Sequence, residues 1–488
     1  MPRPYRGSGQ NVPRVQRSYD AVVVGAGPNG LAAAVALAQA GRSVKVIEGE
    51  ATVGGGSRTM ELTQPGFHHD VCSAVHPLGL GSPFFRQLPL EEHGLRWIHP
   101  VTPFAHPISP REAVMVHRSV EATADELGGA DGEEYRNRIA PLVDAWDKIE
   151  PSILSPLLRI PRHPVAIARF GWVGILPATT LINSFRHEPA RALFAGTSAH
   201  SYLPLSKRFT AAYGLLYPIT AHRWGWPFAA GGSQAIVDAL ASYFRSLGGE
   251  IETGTWVASL ANLPPSRSIF LDVTPDVFAR IAGNSLSTSY RRRLGRFRRA
   301  PGAFKIDYAL SGPVPWANHR LSDAGTIHIG SSQSIIDAEA KIWKGKEPDR
   351  PFILAAQPSL FDPSRAPDGR HTLWLYAHVP RGSTFDFLPK IEREIEDLAP
   401  GFSERIIERC VSTPADLEAY NPNLAGGDIT GGAHTLKQVI FRPIPAINPY
   451  GTPLPNVFLC SSSTPPGAGV HGMCGFWAAR SALRSVLS

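Results

Sequence analysis

Gly25-x-Gly27-x-x-Gly30 is the residue pattern in this chain that says most about chemistry. It follows the short apolar run Tyr19-Asp20-Ala21-Val22-Val23-Val24 and precedes Leu31-Ala32-Ala33-Ala34-Val35-Ala36-Leu37-Ala38, so the spacing predicts a strand, a tight turn and a helix. In that setting Gly25 permits the turn and Gly27 lets backbone N–H groups approach a pyrophosphate. Gly30 lets the helix pack on the strand with its positive N-terminus aimed at phosphate, and Asn29 lies in the same turn. A second strand, Ser43-Val44-Lys45-Val46-Ile47, ends at Glu48, eighteen residues after Gly30. A carboxylate at about that spacing accepts from ribose hydroxyls and argues against a 2′-phosphate. Together these groups predict a dinucleotide seat.

Two further stretches carry candidate chemistry. Between Gln64 and Pro77 lie Phe67, His68, His69, Asp70 and His76, close in sequence to a second glycine turn, Gly54-Gly55-Gly56-Ser57. Their spacing is irregular for a metal, and packing or hydrogen bonding is the preferred role. Near the C-terminus the strand Asn456-Val457-Phe458-Leu459-Cys460 runs into Ser461–Gly475 and then into a small-residue helix over 477–486. This is again a strand, a glycine turn and a helix N-terminus able to hold partial negative charge. His471 stands in that turn. Candidates for a protein base are His471, His68 and His69, with a backbone-only role preferred for His471. No metal site is expected, since Cys72, Cys410, Cys460 and Cys474 are scattered without ligand spacing, and reduced thiols in a cytoplasmic protein fit them.

The elements that must position these groups are read from composition and periodicity. At 488 residues, 43% apolar and 18% charged, the chain predicts a globular protein of two or three domains. Six of its net +7 charges sit in Arg291, Arg292, Arg293, Arg296, Arg298 and Arg299. One such run without a recognition motif reads as a solvated helix face, so no nucleic-acid partner is expected. The arginine-bearing first seventeen residues lack an apolar core and read as a disordered tail rather than a secretory signal. Residues 122–149 have helical periodicity. Pro151 to His187 contains no acidic residue but carries Arg159, Arg162, Arg169 and Arg186 among many apolar side chains. That stretch fits a lid over an apolar cavity, or a peripheral membrane contact with arginines toward headgroups and Phe170, Trp172, Ile175 and Leu176 in the lipid; Arg169 and Pro177 argue against a span. A helix is predicted after Ala229-Ala230-Gly231-Gly232-Ser233-Gln234, then strands over 250–257 and 268–273. Ala303–Leu310 alternates as a half-buried strand, followed by strands over 326–329, 352–357 and 372–379 and a helix over 387–398.

These motifs resemble the two-dinucleotide-binding flavoproteins of the amine oxidase superfamily. The resemblance is most specific to phytoene desaturases and phytoene dehydrogenase-related oxidoreductases. It rests on the first glycine turn, Glu48, Gly54–Thr59, Gly231-Gly232-Ser233-Gln234-Ala235, Lys305–Leu310, Gly426-Gly427-Asp428-Ile429 with Gln438, and the C-terminal turn. Many members carry arginine at the third position of the second turn, where this chain has Gly56, with Arg58 two residues on. The resemblance implies an α/β fold: a discontinuous FAD-binding Rossmann-like domain (18–101, 223–285 and 436–488), a helical lid or membrane-contact insertion (102–222) and a mixed-sheet substrate domain (286–435). It further implies FAD contacts at Gly25, Gly27, Asn29, Gly30, Glu48, Gly55, Gly56, Ser57, Val257, Gly469, Val470 and Met473. The expected activity is removal of hydrogen from C–C bonds of a large apolar, isoprenoid-like substrate by hydride transfer to flavin N5. A flavin amine oxidase and a non-enzymatic lipid-binding escort protein share the architecture and stand as alternatives; the oligomeric state is left open.

Overall fold

The computed structural model describes residues 18–488, so the arginine-bearing tail lies outside the described residues. Tyr19–Val24 is the central strand of a five-stranded sheet ordered Val457–Leu459, Ser266–Leu271, Tyr19–Val24, Val44–Ile47, Glu250–Glu252. Every pairing in it is parallel. Tyr19–Val24 and Val457–Leu459 are covered on both faces, which is why they read as apolar runs, whereas the edge strand Glu250–Glu252 is only half-buried. The glycine-turn helix Pro28–Gln39 and the C-terminal helix Met473–Leu483 cross on one face. A Cβ at Gly475 would fall 1.8 Å from the Asn29 carbonyl oxygen, so only glycine allows this crossing. The C-terminal helix begins at Met473, four residues before the expected start.

The second layer is a seven-stranded mixed sheet, ordered Ile406–Ser412, Gly302–Leu310, His371–Val379, Ile353–Ala356, Ala324–Ile329, Thr102–Pro107, Ala113–Val116. Two of its strands correct the expected limits of the helical insertion. Thr102–Pro107 pairs in parallel with Ala324–Ile329, more than two hundred residues on, and Ala113–Val116 closes the edge. The helices begin only at Val120 and run, with breaks, to Trp224. They bury Tyr135, Ile139, Trp146, Phe194, Leu215 and Ile219 against Phe104, Val116, Leu354 and Trp374 of the sheet.

Gly302–Leu310 also departs from expectation. Its nine residues are all buried rather than alternating in and out. Phe304, Ile306, Tyr308 and Leu310 pack with Phe387, Ile391 and Phe402, while Lys305 and Asp307 on the other face pair with each other against the 59–70 segment. The polar period of this strand marks an internal ionic layer, not a wet face. The strand expected over 250–257 stops at Glu252, and Trp256 lies over Gly49. Of the arginine run, Arg291, Arg292, Arg293, Arg296 and Arg298 are exposed, whereas Arg299 turns inward to Asp276 and Thr274.

Candidate active site

The carboxyl ends of the parallel strands open onto a cavity of ≈ 820 Å³ that runs from the two glycine turns to the inner face of the mixed sheet. That volume falls within the roughly 300–1,000 Å³ usual for ligand sites. Of the twelve residues expected to touch a cofactor, Gly25, Gly27, Asn29, Glu48, Gly55, Gly56, Val257, Gly469 and Val470 line it. Gly30, Ser57 and Met473 stand behind the wall. Gly30 is pressed on the turn, where a Cβ would lie 2.0 Å from the Gly25 carbonyl oxygen. Ser57 is fully buried, and Met473 belongs to the core under the first sheet.

Glu48 ties the nucleotide end together. Its Oε2 accepts from the Ala26 N–H at 2.6 Å and its Oε1 from the Glu50 N–H at 3.0 Å, which leaves further lone pairs toward the cavity. A Cβ at Gly55 would come 3.0 Å from the Gly27 Cα, so glycines on both sides let the two turns meet. Asn29 Oδ1 is buried without a hydrogen-bond partner among the described residues. Two abutting glycine turns, a helix N-terminus, a ribose-type carboxylate and an orphaned acceptor fit a dinucleotide.

Asp272, outside the expected set of site residues, sits directly after the strand beside the first one. Its Oδ2 accepts from the Gly30 N–H at 2.9 Å. Burial pushes its carboxyl up to about 7; the Gly30 hydrogen bond opposes the rise and the Glu48 charge adds to it. Its position could have been found from one rule, that open parallel sheets bind ligands beyond their strands' carboxyl ends.

The histidine candidates separate. His471 lines the cavity, but its Nδ1 accepts from the Met473 N–H at 3.0 Å, and burial lowers it to about 4. The ring is a neutral clamp across the C-terminal turn. His68 and His69 do not line the cavity. His69 contacts Thr63 and Asp307, and burial, with Lys305 and Arg365 nearby, lowers it to about 3. Its neighbour Asp70 is the organising group there, accepting from Thr59 Oγ1 (2.7 Å), the Ser233 N–H (2.8 Å) and Arg365 Nη2 (2.9 Å). Arg58 lines the cavity with its guanidinium folded back on Thr52 and the Tyr420 hydroxyl.

Away from the glycine turns the wall is apolar and aromatic: Phe170, Tyr213, Tyr217, Trp226, Trp374 and Tyr376, with His200, Tyr202 and His434. Burial lowers His200 and His434 to about 3 and raises the tyrosine phenols, so these groups are neutral. His200 Nε2 lies 3.1 Å from His328 Nε2. The charged residues of the wall, Glu48, Glu50, Arg58, Asp272 and Arg280, do not belong to this half. Local patterns could not foretell this wall, because its residues come from helices and strands far apart in the chain. Among the described residues no cluster of three or more His, Cys, Asp or Glu could hold a metal ion.

The family profile of the NAD(P)-binding Rossmann-like domain matches residues 23–88. Over 96% of this chain and 94% of the relative, the sequence is 27% identical to the rat (Rattus norvegicus) pyridine nucleotide-disulfide oxidoreductase domain-containing protein 2. It is 25% identical, over 93% of this chain and 96% of the relative, to the lycopene-forming phytoene desaturase of Pseudescherichia vulneris. A solved putrescine oxidase shares the fold at a TM-score of 0.61 and 17% identity, covering 96% of this chain and 99% of that one. Along nearly its whole length the chain is therefore similar to phytoene desaturases and related oxidoreductases, and it shares the fold of a solved amine oxidase. The likeness supports a phytoene desaturase-like oxidoreductase.

Proposed function

We propose that the chain binds FAD along the glycine turns and oxidises an uncharged, largely apolar substrate, removing hydrogen from a C–C bond. The observation that carries this reading is the continuous cavity whose half beyond the turns has no ionised side chain. When bound, FAD supplies the hydride acceptor. The protein's own contribution is to orient and to exclude water. Glu48 and the 25–30 turn hold the nucleotide end, and the aromatic and apolar wall takes the substrate. Neutral His200 and His434 offer hydrogen bonds but no charge, which disfavours carboxylate substrates. The aromatic rings favour one second reading, oxidation of an amine bound in its neutral form.

The surface beside the cavity supports delivery from a lipid phase. Leu157 and Phe170 line the cavity, while neighbouring Ile160, Val165 and Trp172 are 94%, 77% and 81% exposed beside Arg159, Arg162 and Arg169. The expected set of lipid-facing residues is corrected at Phe170, which points inward. No described helix is long and apolar enough to cross a membrane. Peripheral attachment to an anionic bilayer fits a basic, apolar patch of this kind.

The test is anaerobic. Purified protein is loaded with FAD, mixed with uncharged isoprenoids, aliphatic alcohols and ketones, and primary amines, and the flavin absorbance is followed. Bleaching by an uncharged apolar compound, with a product two hydrogens lighter, is the expected result. Bleaching by amines alone selects the second reading, and a protein that takes up no FAD refutes both.

A further inference from the structure

Arg442 is fully buried, and its position is odd for a cation. Its Nη2 donates to the Gly431 carbonyl oxygen at 3.0 Å, while Nε and Nη1 have no hydrogen-bond partner among the described residues. The unpartnered edge faces the C-terminal turn, where a Cβ at Gly467 would lie 2.5 Å from Nη1. Gly431, Pro466, Ala468 and Gly469 are themselves cavity wall, so the guanidinium stands directly behind that wall.

Among the described residues no carboxylate forms an ion pair with it. Asp428, whose charge reaches it, has its carboxylate engaged by Thr430, the Ala300 N–H and Arg299. The Tyr213 phenol and the Cys474 thiol lie near, but burial raises both, Cys474 to about 12, and keeps them neutral. An uncompensated buried charge is among the most costly features a fold can keep, and a neutral side chain of similar volume would remove that cost. Its retention beside a cavity wall is accounted for if negative charge develops on the far side of that wall.

We propose that Arg442 is the counter-charge for reduced FAD, acting across the wall made by Gly431 and the 466–469 turn. This rests on the flavin reading above. It adds a charge to the C-terminal helix, whose N-terminus at Gly472 and Met473 is the weaker, partial one. The cavity end at Gly27 and Asn29 receives the phosphates, so the two anionic parts of the cofactor have separate counter-charges.

The experiment measures the flavin midpoint potential of the FAD-loaded protein without substrate, by equilibration with a reference dye. The wild-type protein is expected to bind reduced FAD at least about tenfold more tightly than oxidised FAD, which is ~30 mV above free FAD for a two-electron couple. Arg442→Met and Arg442→Gln should each lose about tenfold or more of that preference, and Arg442→Lys, which keeps the charge, should stay within about threefold. Should the neutral variants not fold, the wild-type measurement decides by itself. A wild-type potential at or below that of free FAD overturns the proposal, as do neutral variants within about twofold of wild type. Failure to take up FAD is a separate result that removes the flavin reading beneath it.

Discussion

Replacing Asp272 with Asn removes one titrating carboxyl from the nucleotide end and keeps the size and the acceptor for the Gly30 N–H. In the wild-type fold this carboxyl stands at about 7 against 3.8 for an ordinary aspartate, because burial and the Glu48 charge disfavour its ionised form. The folded chain therefore holds the proton more tightly than the unfolded chain does. The stabilisation is full below the unfolded value, shrinks as pH rises, and is gone above about 7. Each unit of pH in that window is worth about 1.4 kcal/mol, so the cofactor-free wild type should lose about 2 kcal/mol relative to Asp272→Asn between about pH 5.5 and about pH 8.5. Urea denaturation of both proteins across this range measures the difference directly. The same ionisation places a negative charge on the N-terminus that receives phosphate, so FAD affinity should fall with pH in the wild type more steeply than in the variant. Parallel stability profiles for the two proteins would refute the reasoning, because they would mean that Asp272 titrates outside this window.

Glu48→Gln keeps one acceptor but loses the charge that ties the glycine turn to the ribose side, and FAD should bind about 10- to 100-fold more weakly by fluorescence titration. Gly30→Ala drives a Cβ to 2.0 Å from the Gly25 carbonyl oxygen, so it should abolish FAD retention and lower the melting temperature; Gly41→Ala, with φ +73° and open space around it, should cost only about 1–2 kcal/mol and keep FAD. Trp172→Glu combined with Val165→Glu should reduce co-sedimentation with anionic phospholipid vesicles by about tenfold or more, since each exposed apolar side chain is worth about 1.5–3 kcal/mol when buried in lipid. Equal binding by wild type and variant would place any membrane contact elsewhere.

The dinucleotide end was legible because its information is local. A turn that needs glycine at three positions, a strand before it, a helix after it and Glu48 eighteen residues on all follow from backbone sterics within one βαβ unit. The C-terminal turn could be read for the same reason. What lay out of reach depends on which distant segments meet. Thr102–Pro107 is a strand because Ala324–Ile329 receives it, not because of its own periodicity. The alternation of Lys305 and Asp307 shows equally well in a strand with one wet face and in a strand buried on both; packing against the 59–70 segment made it the second. His68 and His69 follow the second glycine turn, yet the chain turns away to place Asp70 on Arg365, so nearness in sequence did not bring them to the cavity.

By itself the sequence determined the strand, glycine turn and helix of the first βαβ unit and the carboxylate that closes on that turn, because sterics and short-range spacing leave those residues few alternatives. Only the tertiary structure decided the neutral aromatic wall, the carboxyl of Asp272 against the helix N-terminus, and the buried guanidinium of Arg442 behind the C-terminal turn. Each of these depends on burial and on neighbours from far along the chain, and burial is what sets the charge a side chain carries.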